Sequence, residues 1–178
     1  MAKRHTFNPS HTTLTVHPQA LSAYNTWLKF RQKAPSIHLK NIDVDHKPLI
    51  RIIPYQQNHY QYFDSFSRVS DIFQYEYKTR QPFVIIKGDD RQISRMSWVE
   101  VLKLCSSQNI NHSLLWQNLK KECAPSILKE LMACDYLRVE DYCFFANISI
   151  EHYQYQQKGI ADNKRELGLS QNMDWLND

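Results

Sequence analysis

Three consecutive segments with helical periodicity, followed by one segment that alternates, most constrain what this chain can fold into. In the first segment, apolar side chains recur at i, i+3, i+4 and i+7 from Trp98 to Cys105, with Ser97 as the predicted N-cap. Residues 113–123 and 125–134 show a similar apolar spacing. The pattern therefore predicts three short helices in succession.

The segment that follows, residues 136–148, has a different period. Apolar side chains alternate with other residues from Tyr142 to Ile148, which is typical of a half-buried strand, and Glu140 and Asp141 suit a tight turn. Three helices followed by a β-hairpin is the order of a winged helix-turn-helix. We therefore predict an α+β fold in which a small N-terminal α+β part packs against a C-terminal winged-helix-like part, made of three helices and a β-hairpin. A generic helical subdomain with one hairpin is the alternative.

The chain divides into three regions by composition and pattern. Residues 1–92 form a basic α+β region, in which the apolar runs at residues 49–53 and 83–86 predict strands. Residues 93–150 form the winged-helix-like region, and residues 151–178 form a polar C-terminal extension. The connecting loops are short, so we expect the first two regions to pack closely together.

The positive charge of the chain is unevenly distributed. Residues 1–90 carry 12 Lys and Arg against seven Asp and Glu, whereas residues 91–178 carry ten against 11. Exposed cations supply most of the affinity of proteins for DNA, and the helix before a wing usually enters the major groove. We therefore predict a non-enzymatic nucleic-acid-associated protein that binds DNA or RNA, with DNA favoured over RNA as the partner. The cations that we expect to contact phosphate groups are Lys29, Arg31, Lys33, Lys40, Lys47, Arg51, Lys120, Lys121, Lys129 and Arg138.

The motifs of catalysis and of cofactor binding are missing from the sequence. Its three glycines are dispersed, which disfavours a phosphate-binding loop, and its four cysteines contain no CxxC pair. A loose nuclease-like pattern ends at Lys87, but Ile85 stands where such a site needs an acid. We therefore predict no catalytic residue, no metal ligand and no cofactor.

A second interpretation is a protein-binding adaptor, subunit or inhibitor that acts by occlusion. The predicted wing is acidic, and Trp175 and Leu176 lie between the acids Asp174 and Asp178 in the C-terminal tail. Either the acidic wing or the tail is a candidate contact for a protein partner. The tail is interpreted as a docking peptide or, alternatively, as a terminal turn packed on the protein's own core.

The cellular location of the protein is predicted from two features that the sequence lacks. No apolar run approaches the roughly 18 residues of a membrane span, and the first residues lack the apolar segment of a secretion signal. We therefore expect a cytoplasmic protein with no membrane contact. Its general character, rather than any motif, suggests an accessory protein of a plasmid, phage or mobile element.

Overall fold

The computed structural model describes residues 4–31, 47–76, 78–107 and 109–166, with side chains described as far as Ile160. The fold is mixed α+β, as predicted at that level. Five strands belong to one sheet: β1 (Arg4–Phe7), β2 (Thr13–Val16), β3 (Ile50–Gln56), β4 (His59–Tyr62) and β5 (Gln81–Ile85). The helices are α1 (Leu21–Phe30), α2 (Phe66–Tyr75), α3 (Asp90–Leu102), α4 (His112–Glu122), α5 (Pro125–Met132), α6 (Val139–Ala146) and α7 (Ile150–Glu166).

The sheet combines both directions of pairing. Its strand order is β1-β5-β3-β4-β2. The β1–β5 and β3–β4 pairs are antiparallel, and the β5–β3 and β4–β2 pairs are parallel. We call the described residues from Arg4 to Ile85 the sheet half and those from Asp90 to Glu166 the helical half.

Aromatic packing joins the first two helices to the sheet. The ring of Tyr24 on α1 lies 5.3 Å from that of Phe66 on α2 and 6.2 Å from that of Tyr62 on β4. Burial of such rings is a large source of stability, since each removes an extensive apolar surface from water. The strands predicted at residues 49–53 and 83–86 are confirmed as β3 and β5.

A buried charge network in the sheet half joins the segment before β3, the end of α2 and the start of β5. Lys47 Nζ lies 2.8 Å from Glu76 Oε2, and each side chain is 1% exposed. Arg68 pairs with the same carboxylate, and Arg68 also donates to the Gln81 side chain over 2.7 Å. Burial raises the pKa of Glu76, but hydrogen bonds from Arg68, Lys47 and Gln81 outweigh it and lower that pKa to about 2.

The prediction that Lys47 contacts phosphate is corrected by this network. A phosphate contact needs an exposed ammonium group, whereas Lys47 is buried against Glu76. Removing Lys47 from that pair would also leave the buried Glu76 carboxylate with Arg68 as its remaining cation, which is unfavourable.

The predicted β-hairpin wing is wrong, because Val139–Ala146 forms α6. The Asp141 carboxylate accepts a hydrogen bond from the backbone N–H of Arg138 over 3.1 Å and so caps the helix. Tyr142, Cys143 and Ala146 are buried on one side, which is a helical spacing. A half-buried strand would have placed Phe144 inward with Tyr142, but Phe144 is 89% exposed.

One continuous hydrophobic core spans the two halves, from Phe7 to Tyr153. The boundaries predicted after residues 92 and 150 fall within α3 and α7 respectively. Neither boundary is therefore a linker in the structure.

Length and polarity distinguish the described helices from membrane spans. Among them, none is both long enough and apolar enough to cross a bilayer.

Candidate nucleic-acid interface

Three helices, α4, α6 and α7, meet around the side chain of Tyr142. The Tyr142 ring stacks on Trp116 of α4 at 4.9 Å and lies 6.2 Å from Tyr153 of α7. Its hydroxyl oxygen and His112 Nδ1 lie 3.0 Å apart in a hydrogen bond. Because Tyr142 itself is fully buried, it fixes the positions of all three helices.

The polar groups of this three-helix core are uncharged at neutral pH. Burial raises the pKa of the Tyr142 phenol, and burial also raises the pKa of the Cys105 thiol beside it to about 11. Burial lowers the pKa of His112 from its usual value of 6.5. The buried polar side chains where α4, α6 and α7 meet are thus neutral and hydrogen-bonded.

A three-residue turn, from Asn147 to Ser149, connects α6 to α7. Asn147 adopts the left-handed conformation, with φ 53° and ψ 47°, and the Ile148 N–H donates to the Cys143 carbonyl over 3.0 Å. This hydrogen-bond pattern ends a helix sharply, and asparagine tolerates the left-handed region better than most residues. The Ser149 hydroxyl then accepts from the His152 N–H over 3.1 Å and caps the N-terminus of α7. A turn of this length occurs both in helix-turn-helix motifs and in antiparallel pairs of helices.

As far as Ile160, the buried and half-buried side chains of α7 lie along a narrow stripe. Tyr153 is buried, and Gln156 and Ile160 are half-buried on the same side. The Gln156 side chain accepts from the His112 N–H over 2.6 Å and donates to the Ile110 carbonyl over 3.1 Å. Gln156 thereby fixes the rotation of α7 against the segment that precedes α4.

The opposite side of α7 faces solvent. Four exposed residues recur there at i, i+3, i+4 and i+7, and Tyr155 is 77% exposed. We call this set the outer face of α7: Glu151, Gln154, Tyr155 and Lys158. These four polar side chains form a row on the side of the helix opposite Tyr153, Gln156 and Ile160.

The cations predicted in the helical half are exposed and lie on or beside α4, α5 and α6. Lys120 Nζ lies 5.8 Å from the ring centre of Trp116, and Lys121 pairs with Glu122 at 3.4 Å. Lys129 and Arg138 both lie 5.9 Å from the ring of Tyr136. Arg138 Nε also lies 3.3 Å from Asp141 Oδ2.

The predicted cations of the sheet half have more varied surroundings. Lys29 donates to Asn118 of α4 over 3.3 Å, which places it beside the helical half. Arg31 lies 5.1 Å from the ring of Trp27 and donates to the Ser70 hydroxyl over 3.2 Å. Arg51 Nε lies 2.5 Å from Asp64 Oδ2.

Four predicted site residues lie outside the described residues: Lys33, Lys40, Trp175 and Leu176. In addition, the outer face of α7 was absent from the predicted set. A local signal for it exists, since Asn147 and Ser149 precede a helical spacing of Tyr153, Gln156 and Ile160.

The described residues contain no group of three His, Cys, Asp or Glu side chains placed to hold a metal ion. The cysteines at positions 105, 123, 134 and 143 are free thiols. No family model, curated protein or solved structure matches the chain.

Proposed function

We propose that this chain is a non-enzymatic protein that binds duplex DNA, with α6 and α7 acting as a helix-turn-helix. The observation that carries the proposal is the capped three-residue turn that leads into a helix with a solvent-facing outer face. In helix-turn-helix proteins the second helix lies in the major groove, and its N-terminal residues contact base edges. The outer face of α7 occupies that N-terminal part of the helix.

The shape of α7 suits this role. An α-helix with its side chains is about 10–12 Å wide, and the major groove is about 12 Å wide. As far as Ile160, the side chains of α7 away from Tyr153, Gln156 and Ile160 are exposed, so its outer face can enter a groove without unpacking the core.

Phosphate contacts would come from exposed cations around this unit. Lys158 lies on α7 itself, and Lys120, Lys121, Lys129 and Arg138 are exposed on neighbouring elements. Exposed ion pairs and cation–aromatic contacts stabilise a protein by only about 0–1 kcal/mol each. The present partners of these cations are therefore too weakly bound to prevent contact with a phosphate. Lys29, Arg31 and Arg51 remain secondary candidates on the sheet half.

Fluorescence anisotropy with labelled duplex DNA, single-stranded DNA and duplex RNA, at two salt concentrations, tests the proposal. We expect salt-sensitive binding that is strongest for duplex DNA. Tyr155→Ala and Lys158→Ala should weaken it, whereas Tyr55→Ala, which removes a tyrosine 58% exposed on β3, should not. Absence of salt-sensitive binding at micromolar protein would contradict the proposal, and so would an equal loss in the Tyr55 variant.

Protein binding by occlusion is the second candidate, and an exposed aromatic surface favours it. Phe144 on α6 is 89% exposed and Tyr136 is 68% exposed. Exposed large apolar side chains often mark contact sites for another protein. Nuclease-treated co-purification from the native host distinguishes the candidates, because a stoichiometric protein partner lost with Phe144→Ser but retained with Tyr155→Ala would favour this one.

A further inference from the structure

The four side chains of the outer face differ in their hydrogen-bonding chemistry. Glu151 presents a carboxylate that only accepts, and Gln154 presents an amide that both donates and accepts. Lys158 presents three donors, and Tyr155 presents an aromatic ring with a hydroxyl. Arginine and lysine are the side chains most often used to contact guanine, and among residues 150–160 the sequence has one of them, Lys158. Lys158 is therefore suited to guanine, whereas Glu151 and Gln154 are suited to other bases.

The side chains of the outer face differ in which base edges of the major groove they can contact. Adenine presents a donor beside an acceptor, and the glutamine amide is complementary to both. Cytosine presents a donor, which suits a carboxylate, whereas guanine presents acceptors that a carboxylate repels. From Glu151 to Gln154 the helix rises about 4.5 Å, against about 3.4 Å between base pairs. The two side chains therefore meet the same or nearby base pairs.

On the basis of the proposed function, we propose that α7 recognises duplex DNA in which Gln154 contacts an adenine and Glu151 contacts a cytosine one or two base pairs away. Such recognition needs a helix that is held firmly, because a small rotation would move both side chains off their bases. The Ser149 cap and the two hydrogen bonds of Gln156 supply that restraint from the side opposite the outer face.

Selection of binding sites from a randomised duplex library by the full chain tests this specificity. We expect an enriched sequence that contains an adenine and a cytosine one or two base pairs apart. In Gln154→Ala the preference for that adenine should fall by roughly 5- to 100-fold, the range of one good amide–adenine contact. In Glu151→Gln the preference for that cytosine should fall, with the adenine still selected.

Gln157→Ala is the matched control. Gln157 is also an exposed glutamine of α7, but it lies off the outer face. Its replacement should leave the selected sequence unchanged. If Gln157→Ala alone alters the selected bases, the assignment of the outer face is overturned. If duplex binding persists with no base preference, the specificity proposal fails while the proposed function stands, whereas a loss of all duplex binding by the wild-type chain removes both.

Discussion

The sheet half and the helical half stabilise their buried polar groups in opposite ways. The sheet half buries a charged network in which Lys47 and Arg68 share the carboxylate of Glu76. The helical half buries a neutral network, in which His112 and Tyr142 share a hydrogen bond among stacked rings. Loss of one member of a charged network leaves a buried charge unpaired, whereas loss of one member of a neutral network leaves only an unpaired dipole. The stability of the sheet half should therefore depend more strongly on a single buried polar side chain than the stability of the helical half does.

The halves also differ in how their helices meet the surface. In the sheet half, α2 buries Phe66, Val69 and Ile72 along one side. In the helical half, α7 is held by a narrow stripe and exposes its outer face. A helix held in this way contributes less to the core and leaves more of its surface available to a ligand.

The largest expected effect is that of Glu76→Ala. We expect a loss of about 3–5 kcal/mol in the free energy of unfolding, because the substitution leaves the buried Lys47 and the partly buried Arg68 without their anion. Chemical denaturation measures this loss. Glu140→Ala removes an exposed carboxylate from α6 and should cost less than about 0.5 kcal/mol. Equal losses in the two variants would show that the Lys47–Glu76–Arg68 network does not stabilise the fold.

A smaller effect is expected from Tyr142→Phe. The ring stays and continues to pack on Trp116, but His112 loses its hydrogen-bond partner, at a cost of about 1–3 kcal/mol. Thermal or chemical unfolding provides the measurement. Tyr155→Phe removes the same hydroxyl from an exposed ring and should change stability by less than about 0.5 kcal/mol. A Tyr142→Phe protein as stable as the wild type would contradict the assigned role of the hydroxyl.

The two networks should respond to acid in different pH ranges. The pKa of His112 is lowered in the folded protein, so the unfolded chain takes up its proton first and stability falls as the pH drops below 6.5. The pKa of Glu76 is lowered from 4.5 to about 2, so the stability from its ion pairs is present above pH 4.5 and is lost as the pH falls toward 2. Each group contributes at most about 1.4 kcal/mol per pH unit.

Denaturant titrations between pH 7 and pH 2 separate these contributions. The decline that begins below the ordinary histidine pKa should diminish in His112→Gln, and the decline that begins below the ordinary glutamate pKa should diminish in Glu76→Gln. A His112→Gln protein with the wild-type pH profile would mean that His112 is not the group that titrates.

The smallest expected effect on stability is that of Lys121→Ala. The Lys121 side chain is 79% exposed, and its pair with Glu122 contributes little, so the free energy of unfolding should stay within about 0.5 kcal/mol. If Lys121 contacts a phosphate, the slope of log affinity against log salt should become shallower by about one. An unchanged slope in anisotropy titrations would remove Lys121 from the interface, while a large loss of stability would contradict its placement on the surface.

The elements with strong local signals were predictable. The apolar runs at residues 49–53 and 83–86 predicted β3 and β5, because a short apolar run bounded by turn residues is typical of a buried strand. The third predicted helix is confirmed as α5, with Pro125 at its start, where the missing N–H costs nothing. By contrast, β1 and β4 are short and polar, and their pairing partners define them more than their own residues do.

The candidate site was less predictable than the fold. The alternation from Tyr142 to Ile148 overlaps the helical spacing of Tyr142, Cys143 and Ala146 in α6. With so few residues, both periods fit, and the strand interpretation made residues 125–134, which include α5, the helix predicted to enter the major groove. The exposure of Phe144 distinguishes the helix from the strand, and exposure is a property of the folded protein.

By itself, the sequence determined where α5 begins and that the chain mixes helices with strands. The cap predicted at Ser97 is wrong, because Asp89 caps α3 by accepting from the Gln92 N–H and Ser97 lies inside that helix. A helix cap depends on groups within about three residues, as when Asn111 accepts from the Leu114 N–H, so its signal is local. Only the tertiary structure decided the strand order, the burial of Lys47 against Glu76 and the helical state of residues 139–146. Each of these depends on a partner distant in sequence: β3 lies between β5 and β4, Lys47 meets the end of α2, and Tyr142 is enclosed by Trp116 and Tyr153.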